Sequence, residues 1–276
     1  MDFKILAAFI AAVLPLTALA ADTPAAPPQG WTGSGELGLA IASGNSKSEN
    51  LNTKLDVKYN DARWKDDFYV LGVRNKSNVT TTVLDTSTTP PTALAQTDYQ
   101  TTANRYEAGA SGGYKLEDRS YLVGAVRYEH DDFAPYEYQS IVSLGYGFQA
   151  LKNPRDELSF EVGAGYKVVQ PVAQVVTAAN DPSTAIKIRP DTDTSAAARG
   201  KVDYKHNFNA NTSFVNSLLV ESSSANTFVQ NDASVAVKVT DKLALKVSHE
   251  IRYNSDVAPG FKRRDQLLTT NLVYGF

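Results

Sequence analysis

The chain has 276 residues, enough for one large domain or two small ones, with a formal net charge of −3 and basic residues scattered along its length. That balance excludes a nucleic-acid footprint, and the absence of cysteine excludes disulfide staples. Hydrophobic residues make up 42% of the chain, which suits a secreted soluble protein and also a membrane barrel, where only every second residue of a strand meets lipid.

Taken in chain order, the first element is a secretory signal peptide over residues 1–20. Lys4 supplies the positive start, Ile5 to Leu16 is an apolar run too short to span a bilayer as a helix, and Ala18-Leu19-Ala20 is a cleavage site. No cysteine stands beside that site, which excludes a lipoprotein. Residues 21–30 (ADTPAAPPQG) predict a flexible lead-in, and residues 31–276 a single barrel domain.

From residue 31 onward the dominant period is two. In the stretch 242–254, Leu243, Leu245, Val247, Ile251 and Tyr253 fall on one face, interrupted by His249, and Lys242, Lys246, Glu250 and Arg252 fall on the other. The same alternation predicts twelve strands: 31–43, 48–60, 64–76, 103–116, 120–132, 136–150, 156–169, 194–208, 212–223, 227–240, 242–254 and 264–276. Each is long for a globular strand and suits one crossing a bilayer at a tilt. The third is irregular, because Asp66, Asp67 and Arg74 cannot share one face; a bulge or a later start is expected there. Connections alternate between tight Asn/Asp/Pro turns and longer segments, the longest being 77–102 and 170–193. With an even strand count, both barrel ends and all tight turns fall on the periplasmic side. Aromatic residues form two belts: Trp31, Tyr59, Trp64, Tyr114, Tyr121, Phe148, Phe208, Phe214 and Phe276 on the periplasmic side, and Tyr128, Phe133, Tyr136, Tyr138, Phe228 and Tyr253 on the outer side. The fold class expected is all-β, a twelve-stranded antiparallel transmembrane β-barrel of the outer membrane.

Several segments in order resemble the DUF481 or YdiY-like family of salt-induced outer-membrane proteins. They are Trp31 to Gly38 (WTGSGELG) with Ser43 to Ser46 (SGNS), Tyr59 to Trp64 (YNDARW), Arg127 to Asp131 (RYEHD) with Phe133, and Tyr274-Gly275-Phe276. The resemblance spans nearly the whole of the chain after the signal peptide. It implies an outer-membrane barrel of undefined activity and carries no catalytic residues. In the last strand Leu268, Leu272, Tyr274 and Phe276 share one face and end in an aromatic. This resembles the signal read by the barrel-assembly machinery, whose physical sense is strand addition to another sheet edge.

Catalytic and metal patterns are absent: there is no HExxH, P-loop or EF-hand motif. His130, His206 and His249 fall at an outer strand end, a periplasmic strand end and a lipid-facing position, so no Ser–His–carboxylate triad assembles. The cluster His130, Asp131, Asp132 suits a solvated rim better than a site. Neither cofactor nor metal is expected, and no enzymatic activity.

Informative charges lie on the other face. Glu36, Lys54, Asp56, Lys58, Arg105, Glu107, Arg127, Glu129, Glu161, Lys167, Arg199, Lys201, Asp203, Lys246, Glu250 and Arg252 are expected to line the lumen, together with Glu221 and Asp232. Such groups need water or one another. Gly109, Gly113, Gly145, Gly147, Gly163 and Gly165, also on the inward register, are expected to leave room. The expectation is a narrow channel for, or binder of, small polar solutes through a mixed-charge lumen. A structural or envelope-stress barrel with a plugged lumen is the alternative, and a rim-active hydrolase a remote one. Expected partners are outer-membrane lipid, small polar solutes and, during biogenesis, the barrel-assembly machinery and periplasmic chaperones.

Overall fold

A computed structural model describes residues 29–43, 47–87, 89–178, 181–257 and 262–276, with backbone alone for 174–185. The expected signal peptide and most of the expected lead-in lie outside the described residues.

Twelve strands form a closed barrel. In chain order they are β1 (Gly30–Ala42), β2 (Ser48–Asn60), β3 (Trp64–Asp85), β4 (Thr92–Lys115), β5 (Ser120–Asp131), β6 (Tyr136–Lys152), β7 (Asp156–Pro171), β10 (Asp193–Asn207), β11 (Thr212–Ser223), β12 (Thr227–Lys238), β13 (Leu243–Asn254) and β14 (Arg264–Gly275). Between β7 and β10 a separate two-stranded hairpin, β8 (Gln174–Ala178) and β9 (Asp181–Ile188), stands apart from the barrel sheet. Each barrel strand pairs antiparallel with its neighbour, and β14 returns to β1. Closure removes every edge within the barrel and satisfies the backbone inside lipid, which only helices and closed barrels achieve. At the seam the ladder runs to the last residue: Gly33 N–H donates to Phe276 O at 2.8 Å and Phe276 N–H to Gly33 O at 2.9 Å.

The alternation read from sequence determines the two faces. Leu37, Leu39, Val70, Val142, Leu144, Val162, Tyr166, Leu268 and Leu272 are exposed on the outer surface. Ring pairs mark its margin at the short-turn end, with Trp31 on Tyr59 at 5.0 Å and Trp64 on Tyr114 at 5.3 Å. Tyr106, Tyr128 and Tyr138 mark the opposite margin. Tyr121, Tyr136 and Phe228 are corrections to the expected belts. All three are buried inside the barrel, at 5%, 2% and 0% exposure. Tyr136 is turned inward by a register shift between Tyr136 and Tyr138, while Phe228 and Tyr121 lie on the inward parity of their strands.

The third strand needs no repair where one was expected. β2 and β3 pair without interruption from Asn60–Lys65 to Ser48–Ser77, with Asp67 inward and Asp66 and Arg74 outward near the two margins. A shift occurs higher, between Asn75 and Lys76 against β4. Above it β3 and β4 continue as a projecting hairpin to the pair Asp85–Thr92, so most of 77–102 is strand rather than loop. Thr80–Val83 is β-branched throughout, which favours extension, and Asp85 caps the turn by accepting from the Ser87 N–H and hydroxyl. The β8–β9 hairpin likewise structures part of 170–193.

Candidate functional site in the barrel lumen

Interior side chains pair both across the barrel and along single strands. In the half away from the short turns, the Arg127 guanidinium on β5 forks onto Glu221 of β11, with Nε–Oε1 at 2.9 Å, and reaches Glu129 at 2.6 Å. Arg105 of β4 forks onto Glu250 of β13 at 2.7 and 2.9 Å. Arg252 of β13 bonds Glu129 and, at 2.9 Å, Asp131 of β5. Glu129 also accepts from the Tyr136 hydroxyl at 2.9 Å and the Gln139 amide at 3.1 Å. Lys167 of β7 lies 3.8 Å from Glu221. Glu107 of β4 lies 3.9 Å from Arg127, so four cations (Arg105, Arg127, Lys167, Arg252) meet four glutamates (Glu107, Glu129, Glu221, Glu250), with Asp131 at the rim.

An apolar ring also stands among these charges. Phe228, the second residue of β12, has Arg127 at 4.7 Å, Arg252 at 5.2 Å and Lys167 at 5.5 Å from its centroid. The aromatic face attracts each cation and keeps water from it. Glu129, Lys167, Glu221 and Phe228 have no measurable exposure, and Arg105, Arg127 and Arg252 are at most 6% exposed. Isolated charges at such burial would be very costly, so the layer depends on its own pairing.

The inward glycines do not leave room; rings fill it. A Cβ on Gly109 would fall within the Tyr69 ring, and one on Gly147 within the Tyr121 ring, each tyrosine being the direct cross-strand partner. Tyr69 donates to Glu107 at 2.6 Å and Tyr121 to Glu161 at 3.0 Å, so each ring carries its hydroxyl into the polar interior. Gly145, Gly163 and Gly165 serve a different need. Here β6 and β7 approach so closely that a Cβ would meet the opposing backbone. The room expected from these residues is therefore a correction.

Toward the short-turn end the interior loosens. Lys58 pairs with Asp56 at 3.3 Å and Asp67 at 3.6 Å while its side chain stays 53% exposed. Lys201 pairs with Asp203 at 2.8 Å, with exposures of 28% and 36%. Lys54, 3.6 Å from Asp56, lies over the Tyr69 ring. Above these, Arg199 bonds Glu161 at 2.9 Å, and Lys246 bonds Glu36 at 2.7 Å with Asn271 on the other carboxylate oxygen at 3.1 Å. The interior is thus a mixed-charge vestibule below a tight ionic layer.

The three histidines stay apart on the outward parity. His130 stacks on Tyr106 at 4.8 Å and pairs with Asp132 at 2.9 Å. Asn104 and His130 together hold the Asp132 carboxyl below the usual carboxylate range. Asp131, one residue earlier, points inward to Arg252, so alternation splits the expected rim cluster between two faces. His206 bonds Asp156 at 2.7 Å beside Tyr204, and His249 meets Gln266 at 3.2 Å. On β14, Leu268, Leu272 and Tyr274 face outward, as does Phe276 just beyond it, and the Phe276 ring covers Gly33, where a Cβ would come within 2.5 Å of it. Tyr69, Gln139 and the inward roles of Tyr121, Tyr136 and Phe228 were not foreseen from sequence. Tyr69, Tyr121 and Phe228 share parity with the charges Asp67, Arg127 and Asp232, and that was the available signal.

The family model described as "Protein of unknown function, DUF481" matches residues 35–276. The uncharacterized protein YdiY of Escherichia coli (strain K12) is 24% identical over 148 residues, 53% of this chain and 50% of that protein. The chain thus matches about half the length of this curated relative. Among solved structures, the translocator domain of autotransporter NalP from Neisseria meningitidis aligns with a TM-score of 0.48 at 10% identity, over 91% of this chain and 89% of that one. The KdgM porin aligns at 0.38 and 10% identity, over 89% and 99%. A Pseudomonas aeruginosa FadL homologue aligns at 0.33 and 9% identity, over 89% and 74%. A twelve-stranded barrel with its charges turned inward, matched by one family model from its first strand to its last residue, belongs to the DUF481 family.

Proposed function

We propose that this protein is an outer-membrane barrel, exported through a cleaved signal peptide, that does not conduct at rest. Its lumen is a periplasm-facing binding vestibule for small polar solutes, closed to the outside by a balanced ion-pair layer. One contrast carries the reading. Glu129, Lys167 and Glu221 are wholly buried in the outer half, whereas Lys58, Lys201 and Asp203 keep 28–53% of their side-chain surface accessible below them. A constitutive pore solvates its lining charges with water; in the outer layer they pair mainly with one another, with Glu107 Oε2, Lys167 Nζ and Arg252 Nε left without a hydrogen-bond partner. The orientation follows the short turns, which outer-membrane barrels keep in the periplasm. The eighteen expected lumen residues enter this proposal in two groups: Arg105, Glu107, Arg127, Glu129, Lys167, Glu221, Glu250 and Arg252 close the barrel, and the others line or support the vestibule. The histidines, each engaged outside the lumen, supply no nucleophile–base pair, and the protein is proposed not to be an enzyme.

Planar-bilayer recording of folded protein tests the closure: the expected trace has no discrete conductance steps, and reproducible steps would overturn it. Saturation-transfer NMR with glutamate and arginine as charged probes tests the vestibule. Transfer that weakens in Lys58→Gln/Lys201→Gln supports binding; no transfer from either probe leaves a closed structural barrel. For biogenesis, Leu268, Leu272, Tyr274 and Phe276 are proposed as the strand face read by the assembly machinery, with periplasmic chaperones delivering the chain. The support is their shared outward parity on the closing strand.

A further inference from the structure

The lipid-facing surface has two apolar troughs of similar size, one around Gly200 and one around Ala110, and the second of these has cations above it on the same face. On β4, the outward residues Ala108, Ala110 and Gly112 stand between Tyr106 and Tyr114, so bulk is missing beside the larger side chains of β2, β3 and β5. An apolar trough of about 370 Å³ results, walled by Leu55, Phe68, Val70, Val126 and Tyr128. Directly above it on the same face of β3 stand Arg74 and Lys76, opposite Leu51 and Glu49.

The heights fit a membrane interface. From Trp64 in the periplasmic belt to Arg74 is ten residues, about 25 Å along the barrel axis at ordinary rise and tilt, the height of an outer-membrane apolar band. Arg74 therefore sits where the hydrocarbon ends. From Val70 to Arg74 is roughly 13 Å along the strand, so an acyl chain hanging from a headgroup at Arg74 enters the trough. Among the described residues, Arg74 and Lys76 make no ion pair with a carboxylate. Lys47, over the Tyr99 ring at 4.3 Å, adds a third cation nearby. Together the three outnumber Glu49 and, two strands away, Asp132.

We infer that this sector binds an anionic lipid of the outer leaflet: a phosphorylated, multiply acylated lipid with its phosphate on Arg74 and Lys76 and a chain in the trough. Arginine suits the task because its planar fork meets phosphate oxygens two at a time. The inference needs only the transmembrane barrel and is independent of whether the lumen is closed.

Native mass spectrometry of detergent-purified protein tests it, with bisphosphorylated lipid A and its fully dephosphorylated counterpart as probes. The wild type is expected to retain one lipid A and to bind the dephosphorylated form roughly tenfold more weakly. Arg74→Gln/Lys76→Gln should abolish that preference. Ala110→Phe, which fills the trough without touching the lumen, should weaken both lipids. Lys152→Gln/Lys242→Gln, at the opposite end, should change neither. Heat-modifiable gel mobility verifies folding of each variant. Wild-type occupancy by a folded Arg74→Gln/Lys76→Gln protein, equal binding of the two lipids, or a lipid-independent dimer lost in Ala110→Phe would each overturn the inference.

Discussion

Arg127→Ala is the most demanding test of the ionic layer. Arg127 holds Glu221 by two hydrogen bonds, Glu129 by one at 2.6 Å, faces Glu107 at 3.9 Å and covers Phe228 at 4.7 Å. Both principal partners have no exposure, so solvent screening gives little relief. Truncating one member of a buried pair leaves the other charge uncompensated, at a cost of about 3–5 kcal/mol. Arg252 still neutralises Glu129, and Lys167 still faces Glu221, which places the expected loss near the lower figure. Removing both partners with retained volume, Arg127→Met/Glu221→Leu, should cost less than the two single changes together, because an apolar replacement of a buried pair is close to neutral, although Lys167 then loses Glu221. The coupling between the two sites should then be on the order of 2–3 kcal/mol. Urea unfolding in phospholipid vesicles reads these values through Trp31 and Trp64 fluorescence, with gel mobility as the check on folding. A loss below ~1 kcal/mol for Arg127→Ala, or a coupling near zero, would mean that water already solvates these groups. The closed layer would then be refuted.

Three further outcomes are expected. Gly147→Val must displace the Tyr121 ring and its bond to Glu161, costing about 1–3 kcal/mol in the same unfolding assay, and an unchanged urea midpoint would show the ring is not seated there. Phe276→Ala should lower the amount of heat-modifiable barrel in the membrane fraction of cells while leaving refolding in vitro intact, whereas equal cellular yield would remove the assembly role of that strand end. Asp61, in the turn after β2, accepts from the backbone N–H groups of Trp64 at 2.6 Å and Arg63 at 2.7 Å, which hold its carboxyl below the usual range. Its stabilisation is therefore complete above the unfolded value near ~3.9 and is lost as pH falls through the lower folded value. Asp61→Asn should flatten the decline of the unfolding midpoint between pH 5 and pH 2, and parallel slopes would contradict the turn's contribution.

Much of the barrel was legible because membrane and lumen impose opposite demands on adjacent residues. Leu245 and Val247 must meet lipid and Lys246 cannot, so β13 declares its faces residue by residue. The reading failed where chemistry and parity disagreed. Phe228 shares parity with Asp232 and belongs inside, yet an aromatic at a strand end suggests a belt. Tyr136 had no legible parity, because the shift before Tyr138 turns it inward. Glycine misleads in a related way. It marks where a Cβ is missing without saying what occupies the place, and at Gly109 and Gly147 the occupant is the tyrosine directly across the ladder.

The deeper gap between sequence and site lies in the tilt of the strands. Period two assigns Arg105 and Glu250 to the interior but says nothing of their meeting, since 145 positions separate them. Nor does it bring Arg127 to Glu221 or Arg252 to Glu129. Stagger around a closed barrel decides which inward residues stand level, and stagger is fixed by the sum of all twelve strand registers. A water-filled pore and an ionic plug can therefore share one list of inward charges. If the carboxylates of one strand stand level with the guanidinium groups of the facing strand, the charges desolvate together and the lumen shuts. If the stagger sets like charges level, repulsion and solvation hold it open. Here Arg127 and Arg252 converge on Glu129 from opposite walls while Phe228 covers both cations. Closure thus belongs to the register rather than to the composition.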